Sequence, residues 1–199
     1  MLTLEDYKTV FIIIGLIGTI LFASPTLALI LHLPTGERFS ELYILGPGHI
    51  AEGYPFNVKA GENYSVYVGV VNHMGSSSYY IVCVKFRNQS EFLPNSMAGT
   101  PSSLPTLYEY RVFLRDNGVW EAPLNFSLIG VLFPEDRCVV EKLKINGLLF
   151  DVDKEAFWDE ENKGYYYQLF IELWIYDIES HTLRFHNRFT TLWLNVTKE

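Results

Sequence analysis

A hydrolase needs a nucleophile, a base and an oxyanion donor, or two suitably placed carboxylates. No Gly-X-Ser-X-Gly, His-Glu-X-X-His or Cys-X-X-Cys occurs in this sequence. His181 and His186 stand near Asp177 and Glu179. Five positions apart, the two imidazoles fall on opposite faces of a strand, so they read as polar residues at a strand junction. Asp151-Val-Asp153-Lys-Glu155 places carboxylates at every second position, as calcium loops do. Ala156 stands where such a loop needs glycine, and Asn162 where it needs glutamate. The stretch reads instead as an acidic turn at the N-terminus of a short helix over 154–163. The sequence therefore predicts no enzyme, no metal and no cofactor.

Two kinds of covalent chemistry remain. Asn63-Tyr-Ser, Asn88-Gln-Ser, Asn125-Phe-Ser and Asn195-Val-Thr are N-glycosylation acceptors by pattern. Cys83 and Cys138 lie 55 residues apart, near the spacing between facing strands of an immunoglobulin-type sandwich. In an oxidising compartment they could form a disulfide. Two separate buried thiols are the equal alternative.

A non-covalent site is the other possibility. In Tyr165–Tyr176, alternation puts Leu169, Ile171, Leu173 and Ile175 on the core face, and Phe170, Trp174 and Tyr176 opposite. In the final strand, Thr190, Leu192, Leu194 and Val196 take the core face, with Phe189, Trp193 and Asn195 opposite. Phe170, Trp174, Tyr176, Phe189 and Trp193 thus form a candidate contact face. Either the stretch 139–164 folds over it, or it is exposed and contacts a protein or a glycan.

What positions these residues begins with Val10–Leu33, 24 residues without Asp, Glu, Lys or Arg. A helix of that length crosses a hydrocarbon core of about 30 Å. Ala23-Ser24 resembles a signal-peptide cleavage site, but Pro25 follows directly and the chain continues apolar. The expected organisation is a cytoplasmic stub at 1–9, an uncleaved transmembrane anchor at 10–33 and an extracytoplasmic domain at 34–199. The four acceptor triplets beyond the anchor set that orientation, which places the protein in the cell membrane. The net charge of −8 with no basic run argues against nucleic acid as a partner. Expected partners are the membrane itself and proteins at the cell surface or in a membrane complex.

Beyond the anchor, strands are expected at 39–45, 64–71, 79–86, 107–114, 124–133, 138–145, 148–152, 165–176 and 183–196, separated by turn signals such as Asp116-Asn-Gly118 and Asn146-Gly147. Asn72–Ser78 reads as a hairpin-like loop. Short strands at regular spacing predict an all-β fold, an antiparallel immunoglobulin-like β-sandwich on one N-terminal transmembrane helix.

Residues 39–75 read FSELYILGPGHIAEGYPFNVKAGENYSVYVGVVNHMG. The Tyr-Ile-Leu-Gly-Pro strand exit, the Gly-Tyr-Pro loop, Gly-Glu-Asn-Tyr and a valine strand ending in Val-Asn-His resemble an archaeal membrane-protein family known as domain of unknown function 1616. The resemblance covers residues 34–86 and returns in the final Leu-Trp-Leu-Asn-Val strand. The chain departs from it with a single span and with a stretch at 139–164 that reads as an insert. The resemblance implies an archaeal cell-surface sandwich and no activity. The function expected from all of this is a membrane-anchored structural or interaction module, with a glycan- or ligand-binding module as the alternative.

Overall fold

The computed structural model describes residues 4–30 and 37–198, with side chains described at 7–22 and 37–198. The chain divides after Glu37 into two compact units. The first holds α1 (Leu4–Ile30), which continues through Pro25. From Val10 to Phe22 its apolar side chains are exposed all round, and Thr19 returns its hydroxyl to the Gly15 carbonyl at 2.8 Å. Among the described residues no helix is long and apolar enough to cross a membrane. Of the expected span, residues 31–33 lie outside the described residues, and 23–30 are described by backbone alone.

The second unit contains β1 (Phe39–Leu45), β2 (Asn57–Val58), β3 (Tyr64–His73), β4 (Ser78–Asn88), β5 (Tyr108–Leu114), β6 (Val119–Leu132), β7 (Arg137–Ile145), β8 (Leu148–Phe157), β9 (Tyr165–Asp177) and β10 (Thr182–Val196). They form two five-stranded sheets, ordered β1-β3-β6-β7-β8 and β2-β10-β9-β4-β5. Every pairing is antiparallel except β2 with β10. The protein is an all-β sandwich.

The alternation of side chains decides which faces meet. Val66, Val68 and Val70 of β3 and Leu124, Phe126 and Leu128 of β6 point inward from one sheet. Tyr80, Val82, Val84 and Phe86 of β4 and Leu169, Ile171 and Leu173 of β9 point inward from the other. Burying one such side chain stabilises by about 1.5–3 kcal/mol. A one-residue slip of β4 would turn four of them away from the core and drive Lys85 and Arg87 into it, so the register is strongly specified.

Asn72–Ser78 is not a hairpin, because β3 and β4 lie in different sheets. It arches between them, as does the β5–β6 turn. Asn72 holds both arches together. Its backbone pairs with Asn117 and Gly118, and its amide nitrogen donates to the carbonyls of Ser76, Leu114 and Arg115.

The stretch 139–164 is not a cover over the aromatic face. It continues the first sheet as β7 and β8, joined over Asn146-Gly147, both at positive φ as that tight turn requires. The expected helix at 154–163 does not form. Backbone pairing of 137–140 with 154–157 extends β8 to Phe157, and ladder bonds outweigh a short segment's helix propensity. A bulge opposite Glu141 leaves Asp153 at φ 43°. The alternating carboxylates therefore lie along a bulged strand and not in a cation loop. Among the described residues no group of three His, Cys, Asp or Glu is placed to hold a metal.

The cover over the second sheet comes from the β4–β5 connection, residues 89–107. Beneath it Lys85 and Glu172 form a buried ion pair at 2.9 Å. Glu172 also accepts the Ser102 amide at 2.7 Å and the Trp174 indole at 3.1 Å. Lys85 donates to the Ser102 carbonyl at 2.9 Å. Phe170, on the same face, is fully buried.

Candidate binding cleft

The candidate cleft lies where the two-residue strand β2 meets the end of β10. Asn195 donates its backbone N–H to the Phe56 carbonyl at 2.7 Å, and Thr197 donates to Val58 at 3.0 Å. This parallel pairing sets Phe56 beside the outer face of β10. Across the β9–β10 ladder, Tyr166 opposes Asn195 and Gln168 opposes Trp193. Phe56, Tyr166 and Trp193 therefore converge. The Phe56 and Tyr166 ring centroids are 6.1 Å apart, and Tyr166 and Trp193 stand 6.2 Å apart at 85°. Phe56 is 47% exposed and Trp193 44%.

The polar rim comes from the β8–β9 turn and the end of β4. Asp159 and Gly164 close the turn through their backbones. Asp159 accepts the amides of Glu161 and Asn162 at 3.0 and 2.9 Å, and the Asn162 side chain at 3.0 Å. These bonds, from Asn162 above all, hold its carboxyl below the usual range, keeping it ionised. Gln89 reaches the second Asp159 oxygen at 3.4 Å. Tyr166 donates its hydroxyl to the Asn162 carbonyl at 2.6 Å, tying the rim to the aromatic floor. Phe56, Tyr166, Trp193, Gln89, Asp159 and Asn162 enclose about 260 Å³. A second lobe of about 330 Å³ opens on the other side of Phe56 and Trp193, against Tyr54, Ile44 and Thr190–Leu192.

Asn195 is the keystone behind this cleft. It is 9% exposed. Its amide nitrogen donates to Asn57 at 3.0 Å, and its oxygen accepts the Tyr165 amide at 3.2 Å. A side chain on Gly164 would strike Asn195 and Tyr166, so glycine is required there by close approach. In the fold the Asn195 side chain is thus held by both of its polar atoms and nearly buried, unlike an open acceptor loop. Asn63 and Asn125 are exposed. Asn88 is half-buried, with its amide nitrogen on the Glu155 carbonyl at 2.8 Å.

Residues 33–175 match the family described as Domain of unknown function (DUF1616). The chain belongs to this family. The DUF1616 match extends well past residues 34–86 and takes in β7 and β8. No curated protein matches the chain. Among solved structures, the chain is similar to a beta-glucosidase from Listeria innocua in complex with gluconolactone, at 9% identity and TM-score 0.40, covering 81% of this chain and 16% of that one. It therefore spans only a small part of that enzyme. It is also similar to the CARDB domain of a Pyrococcus furiosus protein in complex with di-metal ions, at 12% identity and TM-score 0.38, covering 81% and 90%. The C-terminal domain of wzt aligns at 8% identity and TM-score 0.38, covering 82% and 80%.

Within this DUF1616 chain the five residues of the expected contact face part company. Trp193 lines the cleft. Phe170 lies buried under the 89–107 connection, Trp174 is tied to Glu172, Phe189 is half-buried, and Tyr176 is exposed towards the opposite end of β9. Phe56, Tyr166, Gln89, Asp159 and Asn162 were not singled out by the sequence. Tyr166 shares a face with Trp193 through the β9–β10 register, which was the one usable signal.

The cysteines are both free and buried. Cys138 faces the core from β7, whereas Cys83 lies on the outer face of β4 between Glu172 and Glu109. Opposite sides of a sheet separate them, so the candidate disulfide does not form. Burial raises the Cys83 thiol and pushes Cys138 up to about 11.

His181 is exposed. His186 instead joins a polar chain between the sheets: its Nε2 lies 3.0 Å from Ser40 Oγ, Ser40 meets the Tyr80 hydroxyl at 2.7 Å, and Tyr80 donates to Asn72 at 2.9 Å. Ser40 is 1% exposed, out of a substrate's reach, so this serine–histidine contact braces the fold.

Proposed function

We propose that this chain is a membrane-anchored surface module that works by non-covalent contact through the cleft at Phe56 and Trp193. In this reading the apolar region 10–33 is the anchor, residues 1–9 are cytoplasmic, and an immunoglobulin-like sandwich at 34–199 faces outward. The observation that carries it is the contrast between the cleft and the rest of the domain. Three aromatic rings and two amides gather at an open surface, while Ser40, Glu172, Lys85 and both thiols are sealed inside. The all-round apolar exposure of α1 supports lipid as its surroundings, and the exposed Asn63 and Asn125 support the outward orientation.

The buried thiols permit a direct test. Glu161→Cys beside the cleft should react with a membrane-impermeant maleimide on intact cells, and Lys8→Cys only after permeabilisation. Equal labelling of both, or the reverse order, would overturn the orientation. A photo-crosslinking residue at position 161 should form an adduct on living cells that Phe56→Ala abolishes. An adduct indifferent to Phe56, or none, would overturn the contact reading.

A further inference from the structure

We propose that the cleft binds a short neutral saccharide chain, with one sugar ring stacked on Trp193 and its hydroxyls held by Gln89, Asp159 and Asn162. This rests on the contact reading above and names the ligand's chemical class.

A sugar ring is amphipathic. Its C–H faces are apolar, while every hydroxyl at its edge both donates and accepts. The cleft mirrors that division. Trp193 and Tyr166 form a wall and a floor at 85°, and an exposed indole offers a flat apolar face at little entropic cost, since two torsions fix it. The rim supplies carboxamides, which carry donors and an acceptor on one group. Among the described residues, Asn162 Oδ1 and Gln89 Oε1 have no protein partner, while Asp159, Asn162 and Tyr166 are already locked by the turn's own bonds. The polar groups are thus pre-positioned, which lowers the cost of ordering them on binding.

Charge sets the class of sugar. The two lobes are lined by the Asp159 carboxylate and by no lysine or arginine, and the chain carries a net charge of −8. A uronic acid or a phosphorylated sugar would meet repulsion without a cationic partner. Size sets the length. The lobes of about 260 and 330 Å³ lie on either side of the lower bound of about 300 Å³ for small-molecule sites. Phe56 and Trp193 line both lobes, so two or three linked rings would straddle them. The edge of β10 is already paired with β2 at Asn195 and Val196, so an extended peptide adding a strand would have to pair before that point.

The test is titration of the full chain, held in a detergent without a sugar headgroup, with maltotriose, mannotriose, chitotriose, trigalacturonic acid and a proline-rich peptide. Binding is read by saturation-transfer NMR and tryptophan fluorescence. At least one neutral trisaccharide should bind saturably, with trigalacturonic acid at least about tenfold weaker. Trp193→Ala and the rim variant Gln89→Ala should each weaken binding about tenfold or more, equivalent to about 1.4 kcal/mol, at an unchanged melting temperature. No saturable neutral saccharide up to about 10 mM would overturn the proposal. So would binding that survives Trp193→Ala, a preference for the uronic sugar, or preference for a proline-rich peptide. Saccharide binding in vitro with no cleft-dependent adduct on cells would overturn the cellular contact reading alone. The converse result would overturn only the ligand class.

Discussion

Glu172→Gln isolates the clamp that holds the 89–107 connection to the second sheet. The native carboxylate is fully buried and accepts three donors: Lys85 Nζ, the Ser102 amide and the Trp174 indole. A glutamine of the same shape offers one acceptor oxygen and an amino group that can only donate. It must therefore turn that amino group towards at least one of the three donors, and it leaves the Lys85 ammonium buried without a countercharge. Removing one partner of a buried pair costs about 3–5 kcal/mol. Against a total stability of about 5–15 kcal/mol, that is at least about a fifth. For a domain of this size it should lower the melting temperature by roughly 10 °C, at about 2–4 °C per kcal/mol. Lys85→Met should cost somewhat less, because Ser102 and Trp174 still satisfy the carboxylate in part. The double variant removes both charges, so its cost should fall short of the sum of the singles by about 2 kcal/mol, the coupling expected of contacting residues. The assay is thermal unfolding of all four proteins, with hydrogen exchange of the Ser102 amide as a local reporter. Exchange there should accelerate in Glu172→Gln. Single variants within about 1 kcal/mol of the parent, strict additivity, or an unchanged Ser102 exchange rate would refute the reasoning, since an isolated pair at a wet surface gives just that result.

Three other perturbations follow from the same geometry. Burial, then the nearby Arg184 and Arg188, push the His186 imidazole down from 6.5 to about 4. The unfolded chain therefore takes up this proton at a higher pH than the fold does, and stability should fall as pH drops from about 6.5 to about 4 and level off below. Melting curves across that window should show a shallower loss for His186→Gln; parallel curves would exclude the histidine. Gly164→Ala drives a Cβ into Asn195 and Tyr166, so it should destabilise the fold by about 1–3 kcal/mol as overpacking does, and should disturb Tyr166 in NMR spectra while leaving the distant Tyr80 unaffected. Intact-mass measurement should find two free thiols in unfolded protein and slow alkylation of both in folded protein, with Asn195 bare of glycan whatever the occupancy of Asn63; a mass loss of one disulfide, or a glycan at Asn195, would contradict the packing.

What the amino-acid order determines alone is the side of each strand that turns inward. Alternation along Tyr64–Val71, Tyr79–Phe86 and Tyr165–Tyr176 is a two-residue property of the backbone, so it needs no knowledge of partners. The assignment of β10 survives even though β10 carries an unforeseen irregularity. Two extra residues, His186 and Asn187, shift its register against β9, and a shift of two restores the same faces. The Asn146-Gly147 turn is likewise local chemistry. Which outward face is open is a different matter. Phe170 and Trp193 look equivalent along their strands. Phe170 is buried because the connection from β4 to β5, distant in sequence, crosses it and is held by Lys85 and Glu172, while Trp193 stays open beside Phe56. The same non-local pairing turns 154–157 from expected helix into strand, separates Cys83 from Cys138 across a sheet, and converts the Asn195 acceptor triplet into a buried brace. The cleft is assembled from residues 56, 89, 159–166 and 193 because parallel β2, the end of β4 and the β8–β9 turn meet at one corner, and only the packing of the two sheets brings those distant segments together.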